Sequence, residues 1–377
     1  MNPIHLFVPT FRVEECLAEI RDCLEKGWTG LGYKTVEFEK AWRDEMGFPH
    51  AHFLNSATAG LHLAFRLLKE AGGWQDGDEV VTTPLTFVST NHAILYERLR
   101  PVFADVDEFL CLDPESVRRR IGPRTRAVCF VGLGGNAGQY EKVLHLCRET
   151  GLKLVLDAAH MAGTRLGGRQ AGWDAAVAVF SFQAVKNLPT ADAGMVCFSD
   201  ASLDAEVRKW TWLGINKDTF TRTIESGSYK WLYDVEHVGF KYHGNAVMAA
   251  LGLVGLKHLE EDNAARRRIA DEYTGDLAGA PGVRLVPVAP HCIPSRHLFQ
   301  VLVERRDEVM LGLNARKIYP GVHYRDNLLY RMYQDGQAPC PGARRASEQV
   351  ISLPMHLRLS REDVRRVASA LRELTAR

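Results

Sequence analysis

The sequence is short of most features that would place it outside the ordinary run of soluble enzymes. It has no stretch of about 18 uncharged apolar residues, the length a helix needs to cross a bilayer, so no membrane span is expected. Its opening, MNPIHLFVPTF, lacks the basic run and apolar core of a secretory signal. Neither charge is in excess, since 47 Lys+Arg against 46 Asp+Glu leave a net charge of +1. That balance gives no bulk attraction for nucleic acid or an anionic membrane, although a local pocket can be basic on a neutral chain. The cysteines, at 16, 23, 111, 129, 147, 197, 292 and 340, form no CxxC pair. Zinc and iron–sulfur sites are built on such pairs, so no metal is expected. Scattered free thiols fit a reducing cytoplasm. Repeats, low-complexity runs and Pro/Ser linkers are also lacking.

What is there is a long chain of alternating elements. A chain of 377 residues suits one large domain and a smaller one. Val13 to Lys26 and Val36 to Met46 carry apolar residues at helical spacing. Short apolar runs then alternate with amphipathic ones. Strands are expected at EVVTT (79–83), PVFADV (101–106), AVCFVGL (127–133), KLVLDAA (153–159), AVAVFSF (176–182) and GMVCFS (194–199). Helices are expected at Ser89–Tyr96, Pro114–Ile121 and Glu141–Thr150. This alternation predicts an α/β fold with a mostly parallel sheet flanked by helices. A long helix is expected from Ala246 to Asp276, followed by strands at RLVPV and HLFQVLVE (297–304) and helices at Val309–Lys317 and Arg361–Thr375. The expected division is a large domain over residues 1–245 and a smaller α+β domain over residues 246–377.

Four local features stand in a telling order. In LNSATAGLHLAF (54–65), Ser56, Ala57 and Thr58 precede a helical run. Free N–H groups at a helix start suit a phosphate, and plain N-capping explains the same residues. In TTPLTFVST (82–90), Phe87 follows a strand, where it can stack on a flat ring or simply fill the core. In LVLDAAH (154–160), Asp157 ends a very apolar strand. A carboxylate there is costly unless it is paired or hydrogen-bonded, which suggests a cationic partner, either a protonated pyridine nitrogen or an Arg or Lys. In VFSFQAVKNLPTADAGMV (179–196), Lys186 follows a strand end. A partly buried lysine has a lowered pKa and attacks aldehydes, whereas most lysines are solvated surface groups. No single feature decides. Together they supply the parts that pyridoxal-phosphate (PLP) chemistry requires.

With these motifs in place, the chain resembles the DegT/DnrJ/EryC1/StrS family of PLP-dependent sugar aminotransferases, a branch of fold type I. The resemblance runs from GWTGLG (27–32) and EFEKAW (37–42) to GVHYRDN (321–327) and ISLPMHLRLS (351–360). It implies that Ala57, Thr58 and Ser181 hold the cofactor phosphate, that Phe87 stacks on the ring, and that Asp157 holds the pyridinium nitrogen. It further implies that His160 contacts the ring hydroxyl and that Lys186 is the Schiff-base lysine. Gln183, Lys241, His323 and Tyr324 are implied near the substrate, with GFKYHGN (239–245) reaching into a neighbour's site across a homodimer.

Three departures stand out. VGLGGNAGQY (131–140) lacks the His of the family's VHxxG stretch, Lys241 replaces an Asn, and Asp192 replaces a Glu. The activity implied is transfer of an amino group, with glutamate as donor, to a nucleotide-linked keto-hexose. A ketocyclitol or another antibiotic precursor is the alternative acceptor. A PLP-dependent sugar dehydratase would carry His in place of Lys186. A non-catalytic regulatory member would have lost Lys186 or Asp157, and both are present.

Overall fold

The computed structural model describes residues 2–216 and 233–376. Its centre is a seven-stranded sheet. In spatial order the strands are His50–Leu54, Gly194–Phe198, Val177–Ser181, Lys153–Asp157, Thr125–Val131, Glu79–Thr82 and Arg100–Phe103. The run from Val177–Ser181 to Arg100–Phe103 is parallel, and Gly194–Phe198 is antiparallel to both of its neighbours. The α/β class and the mostly parallel sheet read from the sequence are both present.

Alternation along the strands explains why both faces need cover. Ala127, Cys129, Val155 and Val179 face one layer with Leu61, Phe65 and Trp210. Val128, Phe130, Leu156 and Phe180 face the other with Phe38, Trp42 and Phe53. Successive side chains point to opposite faces, so a parallel strand buried on both sides is apolar throughout. The second layer is aromatic. Trp42 lies 5.0 Å from both Phe180 and Phe182, edge-on to each. Burial of such side chains contributes about 1.5–3 kcal/mol each.

Some elements are absent from the sequence reading. HAHFL (50–54) is a strand, hidden because its histidines look polar. His52 is nevertheless buried, with Nδ1 2.8 Å from Glu39 Oε1 and Nε2 2.8 Å from Thr211 Oγ1. Val350–Leu353 is also a strand, pairing with Phe299–Leu302, which pairs in turn with Arg284–Leu285. The strands expected over RLVPV and over 297–304 shrink to these shorter pieces. Pro287 has no N–H to extend the first of them.

The helix Ala246–Leu277 starts at Asn245, whose side chain accepts the Met248 N–H at 3.0 Å. It packs against the helices Val13–Glu25, Tyr33–Met46 and Arg361–Thr375, tying the two ends of the chain together. Among the described residues no helix is long and apolar enough to cross a membrane. All eight cysteines are free thiols.

The topology gathers three strand ends at one edge. Gly194 is opposite both Leu54 and Ser181, and Asp157 ends the strand beside Val177–Ser181. The crevice outside the carboxyl ends of such strands is where open α/β sheets bind ligands.

Candidate active site

A cavity of about 570 Å³ opens at this edge. Ala57, Thr58, Phe87, Asp157, His160, Ser181, Gln183, Lys186, His323 and Tyr324 all line it, as does Asp192. The site residues expected from the sequence, which lie far apart in the chain, therefore meet, with the exception of Lys241.

The anion end comes from the start of the helix Ala57–Gly72. Ser56 caps it by accepting the Ala59 N–H at 3.1 Å. The N–H groups of Ala57 and Thr58 have no helical acceptor ahead of them and face the cavity with the positive end of the helix dipole. Ser56 is therefore the cap, and the cap leaves the first N–H groups of the helix free at the cavity. Gly194 passes directly beneath. A Cβ there would lie 2.6 Å from the Ala57 nitrogen and 2.7 Å from the Ser56 carbonyl carbon. The strand needs glycine at that position because backbone has to meet backbone.

Asp157 is buried, 5% exposed. Thr90 Oγ1 donates to its Oδ2 at 2.7 Å, and the Ala159 N–H donates to Oδ1 at 3.1 Å. Burial raises its pKa, against the opposing pull of Thr90, Ala159 and the charge of Lys186. Among the described residues it forms no ion pair within 4.0 Å. No Arg or Lys closes on it at that distance; the cation that acts on it is Lys186, across the same cavity.

Lys186 sits in the turn after Val177–Ser181, its N–H donating to the Gln183 carbonyl at 2.8 Å. Burial lowers its pKa to about 8, partly offset by Asp157. The residue is half-buried and lines the cavity, and about half of the amine is neutral near pH 8. That is the state in which an amine is a nucleophile.

The adjacent Asn187 fixes the turn. Its Nδ2 donates to Asn263 Oδ1 and to the Ser295 carbonyl, each at 2.7 Å, and its Oδ1 lies 3.1 Å from His297 Nδ1. Phe87 caps the helix Val88–Tyr96 and is 58% exposed, so it is a cavity wall rather than core. Its ring centroid is 5.9 Å from that of Tyr324. His323 Nδ1 is 2.9 Å from Ser352 Oγ, and burial, with the Lys186 charge adding, lowers its pKa to about 4.

Lys241 lies outside this cavity. Its Nζ sits 3.3 Å from the Trp212 ring centroid, and its carbonyl accepts from Asn55 Nδ2 at 3.2 Å. Among the lining residues given no role from sequence are two aromatic rings. Phe7 and His297 stack at 5.2 Å with 7° between their planes. Phe7 precedes the first periodic segment, and His297 sits in a run that reads as a strand, so neither carried a motif.

Comparison with known proteins points to one family. The aminotransferase TlmJ from Streptoalloteichus hindustanus is 34% identical, with a TM-score of 0.91 covering 99% of both chains. DesI, solved in the presence of its TDP-sugar product, is 30% identical, with a TM-score of 0.87 covering 100% of this chain and 94% of that one. The spore coat polysaccharide biosynthesis protein SpsC from Bacillus subtilis is 33% identical over 96% of this chain and 94% of its own. The sequence profile of one family matches residues 11–372, and the chain belongs to that family, the DegT/DnrJ/EryC1/StrS aminotransferases.

Proposed function

We propose that the chain is a PLP-dependent aminotransferase that moves an amino group from L-glutamate to a nucleotide-linked keto sugar. The observation that carries the cofactor is the pairing, in one cavity, of a buried carboxylate that no ion pair closes and a lysine whose pKa burial lowers to about 8. The remaining walls fit the same group. The Ala57–Thr58 cradle and Ser181 suit its phosphate, the exposed face of Phe87 its ring, and Asp157 a protonated pyridine nitrogen. When bound, PLP supplies a conjugated ring that withdraws electrons from the amino carbon. Lys186 would hold the aldehyde and would move the proton that leaves that carbon. Asp157 holds the proton on the ring nitrogen. Phe87 and the helix start would hold the ring in the cavity that Lys186 lines.

The keto-sugar acceptor rests on relatives, DesI above all. Gln183, His323 and Tyr324 would face the acceptor at the open side of the cavity. We further propose a cytoplasmic homodimer in which Lys241 of one protomer approaches the other's site. Residues 1–245 would form the cofactor-binding domain and residues 246–377 the smaller one.

The test is an absorbance spectrum of the purified protein before and after glutamate. A visible band that moves to the near-ultraviolet is expected. A band indifferent to glutamate but responsive to another amino acid would change the donor. No band after added PLP would sink the cofactor reading.

A second expectation concerns the cradle. Gly194→Ala places a methyl against the Ser56–Ala57 backbone. Backbone yields poorly, and overpacking of this kind costs about 1–3 kcal/mol. If that cost falls on the ligand-binding conformation, PLP affinity drops by roughly 10- to 100-fold. Calorimetric titration of the cofactor-free variant checks this, and wild-type affinity would mean that the phosphate sits elsewhere.

A further inference from the structure

The hydrogen-bond directions around His160 assign a role to Tyr324 that the sequence reading gave to His160. The Gly134 N–H donates to His160 Nδ1 at 3.2 Å. A backbone N–H can only donate, so Nδ1 is the bare nitrogen. Burial, with the charges of Lys186 and His323 adding, holds the ring neutral. Its one polar hydrogen is therefore on Nε2. The oxygen within reach of Nε2 is Tyr324 Oη, at 3.2 Å. His160 donates and the phenol oxygen accepts. The phenol's own hydrogen must then point away from His160. Oη has no other partner among the described residues, and Tyr324 lines the cavity. Around it stand the ring of Phe87, at 5.9 Å, and that of His323, at 4.8 Å, whose Nδ1 already meets Ser352 Oγ. Burial keeps the phenol protonated, with the nearby charge of Asp157 acting in the same direction.

We propose that Tyr324 is the direct hydrogen-bond donor to the hydroxyl oxygen of the PLP ring. His160 is then a positioning residue whose fixed tautomer turns the Tyr324 proton into the cavity. The proposal rests on the cofactor reading above and changes two expectations: that His160 itself touches that oxygen, and that Tyr324 faces the acceptor. Its consequence is electronic. A phenol donor stabilises the ring oxygen as an anion. Without the donor the oxygen becomes more basic and holds the proton it shares with the Lys186 nitrogen more tightly. The pH midpoint of the visible band then rises.

Two measurements test this. The first is ¹⁵N NMR of the histidine rings in the cofactor-free protein, with the His160 signals assigned by their loss in His160→Gln. Protonated Nε2 and bare Nδ1 are expected, and a proton on Nδ1 would overturn the relay whatever the cofactor. The second is a pH titration of the visible band in the loaded protein. Tyr324→Phe should raise the midpoint by roughly 1–2 pH units, the worth of one hydrogen bond to a charged oxygen. His160→Leu should move it the same way. His160→Gln should restore it, because a carboxamide can accept from Gly134 and donate to Tyr324. An unmoved midpoint in Tyr324→Phe beside a raised one in His160→Leu would make His160 the direct donor and defeat the proposal. Absence of any visible band would instead remove the cofactor reading, and this proposal with it.

Discussion

Lys186→Ala is expected to abolish transamination, lowering turnover by about 10⁴-fold, the upper end of what a positioned acid–base group contributes. Covalent anchoring and proton transfer are asked of the same amine, so no second group in the cavity can take over either task. The fold should survive. The turn is held by the Asn187 contacts to Asn263, Ser295 and His297, none of which involves the lysine side chain.

The cofactor-free variant should also be the more stable protein at neutral pH. Folding lowers the Lys186 pKa from its ordinary 10.5 to about 8. The unfolded chain therefore binds the extra proton between those values, and stability rises with pH across that window. Below pH 8 the folded state carries the full cost of the buried charge. That cost is on the order of 2–3 kcal/mol, discounted for the water that reaches the cavity. Removing the amine removes the cost. Thermal unfolding at pH 7 and again near pH 10.5 should show an advantage for the variant at the first pH that fades at the second. Retained activity in Lys186→Ala would overturn the assignment, and an advantage that grew with pH would mean that the amine is not buried as described.

Lys186 and Asp157 were legible in the sequence because each contradicts its setting. A carboxylate at the end of LVLDAA and a lysine after VAVFSF both need a reason, and chemistry supplies one. Phe87 was only half legible: the residue type fits core and stacking alike, and its exposure removes the core reading. The cap of Ser56 and the cradle beside it looked like rivals from sequence and are one arrangement in space.

The unread parts are those whose cause lies at long range. HAHFL became a strand through Glu39 and Thr211, which pair with a histidine that local reading scores as polar. Asn187 owes its importance to partners 76 and 108 residues away. Gly194 looks like an ordinary strand glycine until the Ser56–Ala57 backbone is placed against it. His297 and Phe7 reach the cavity from the C-terminal and N-terminal stretches, which no periodicity connects. Lys241 was expected near substrate and instead packs on Trp212 in its own chain, which leaves its approach to a second protomer's site as a proposal.

Asp157→Asn should lower kcat by roughly 10²–10³-fold, the range found when one preorganised partner of a developing charge is removed. The substitution is nearly isosteric and the network around it can adjust. Thr90 Oγ1 now donates to Oδ2 and lies 2.9 Å from Thr86 Oγ1, so its hydroxyl can turn to donate to Thr86 and accept from an amide. The Ala159 N–H keeps an oxygen to donate to. Packing is therefore preserved and only the charge is lost. A neutral amide cannot hold a proton on the pyridine nitrogen, and the ring then withdraws electrons less well just when the proton leaves the amino carbon. The loss should fall on kcat for both half-reactions, with the KM for glutamate changed far less, because the acid faces the ring rather than the substrate. PLP should still bind, held by Lys186 and by the Ala57–Thr58 cradle, and the visible band should remain. Single-turnover kinetics with glutamate, read at that band, separate the two effects. An unchanged rate would mean that another acid serves the ring nitrogen, and loss of the band would mean that Asp157 holds the binding site together rather than tuning the chemistry within it.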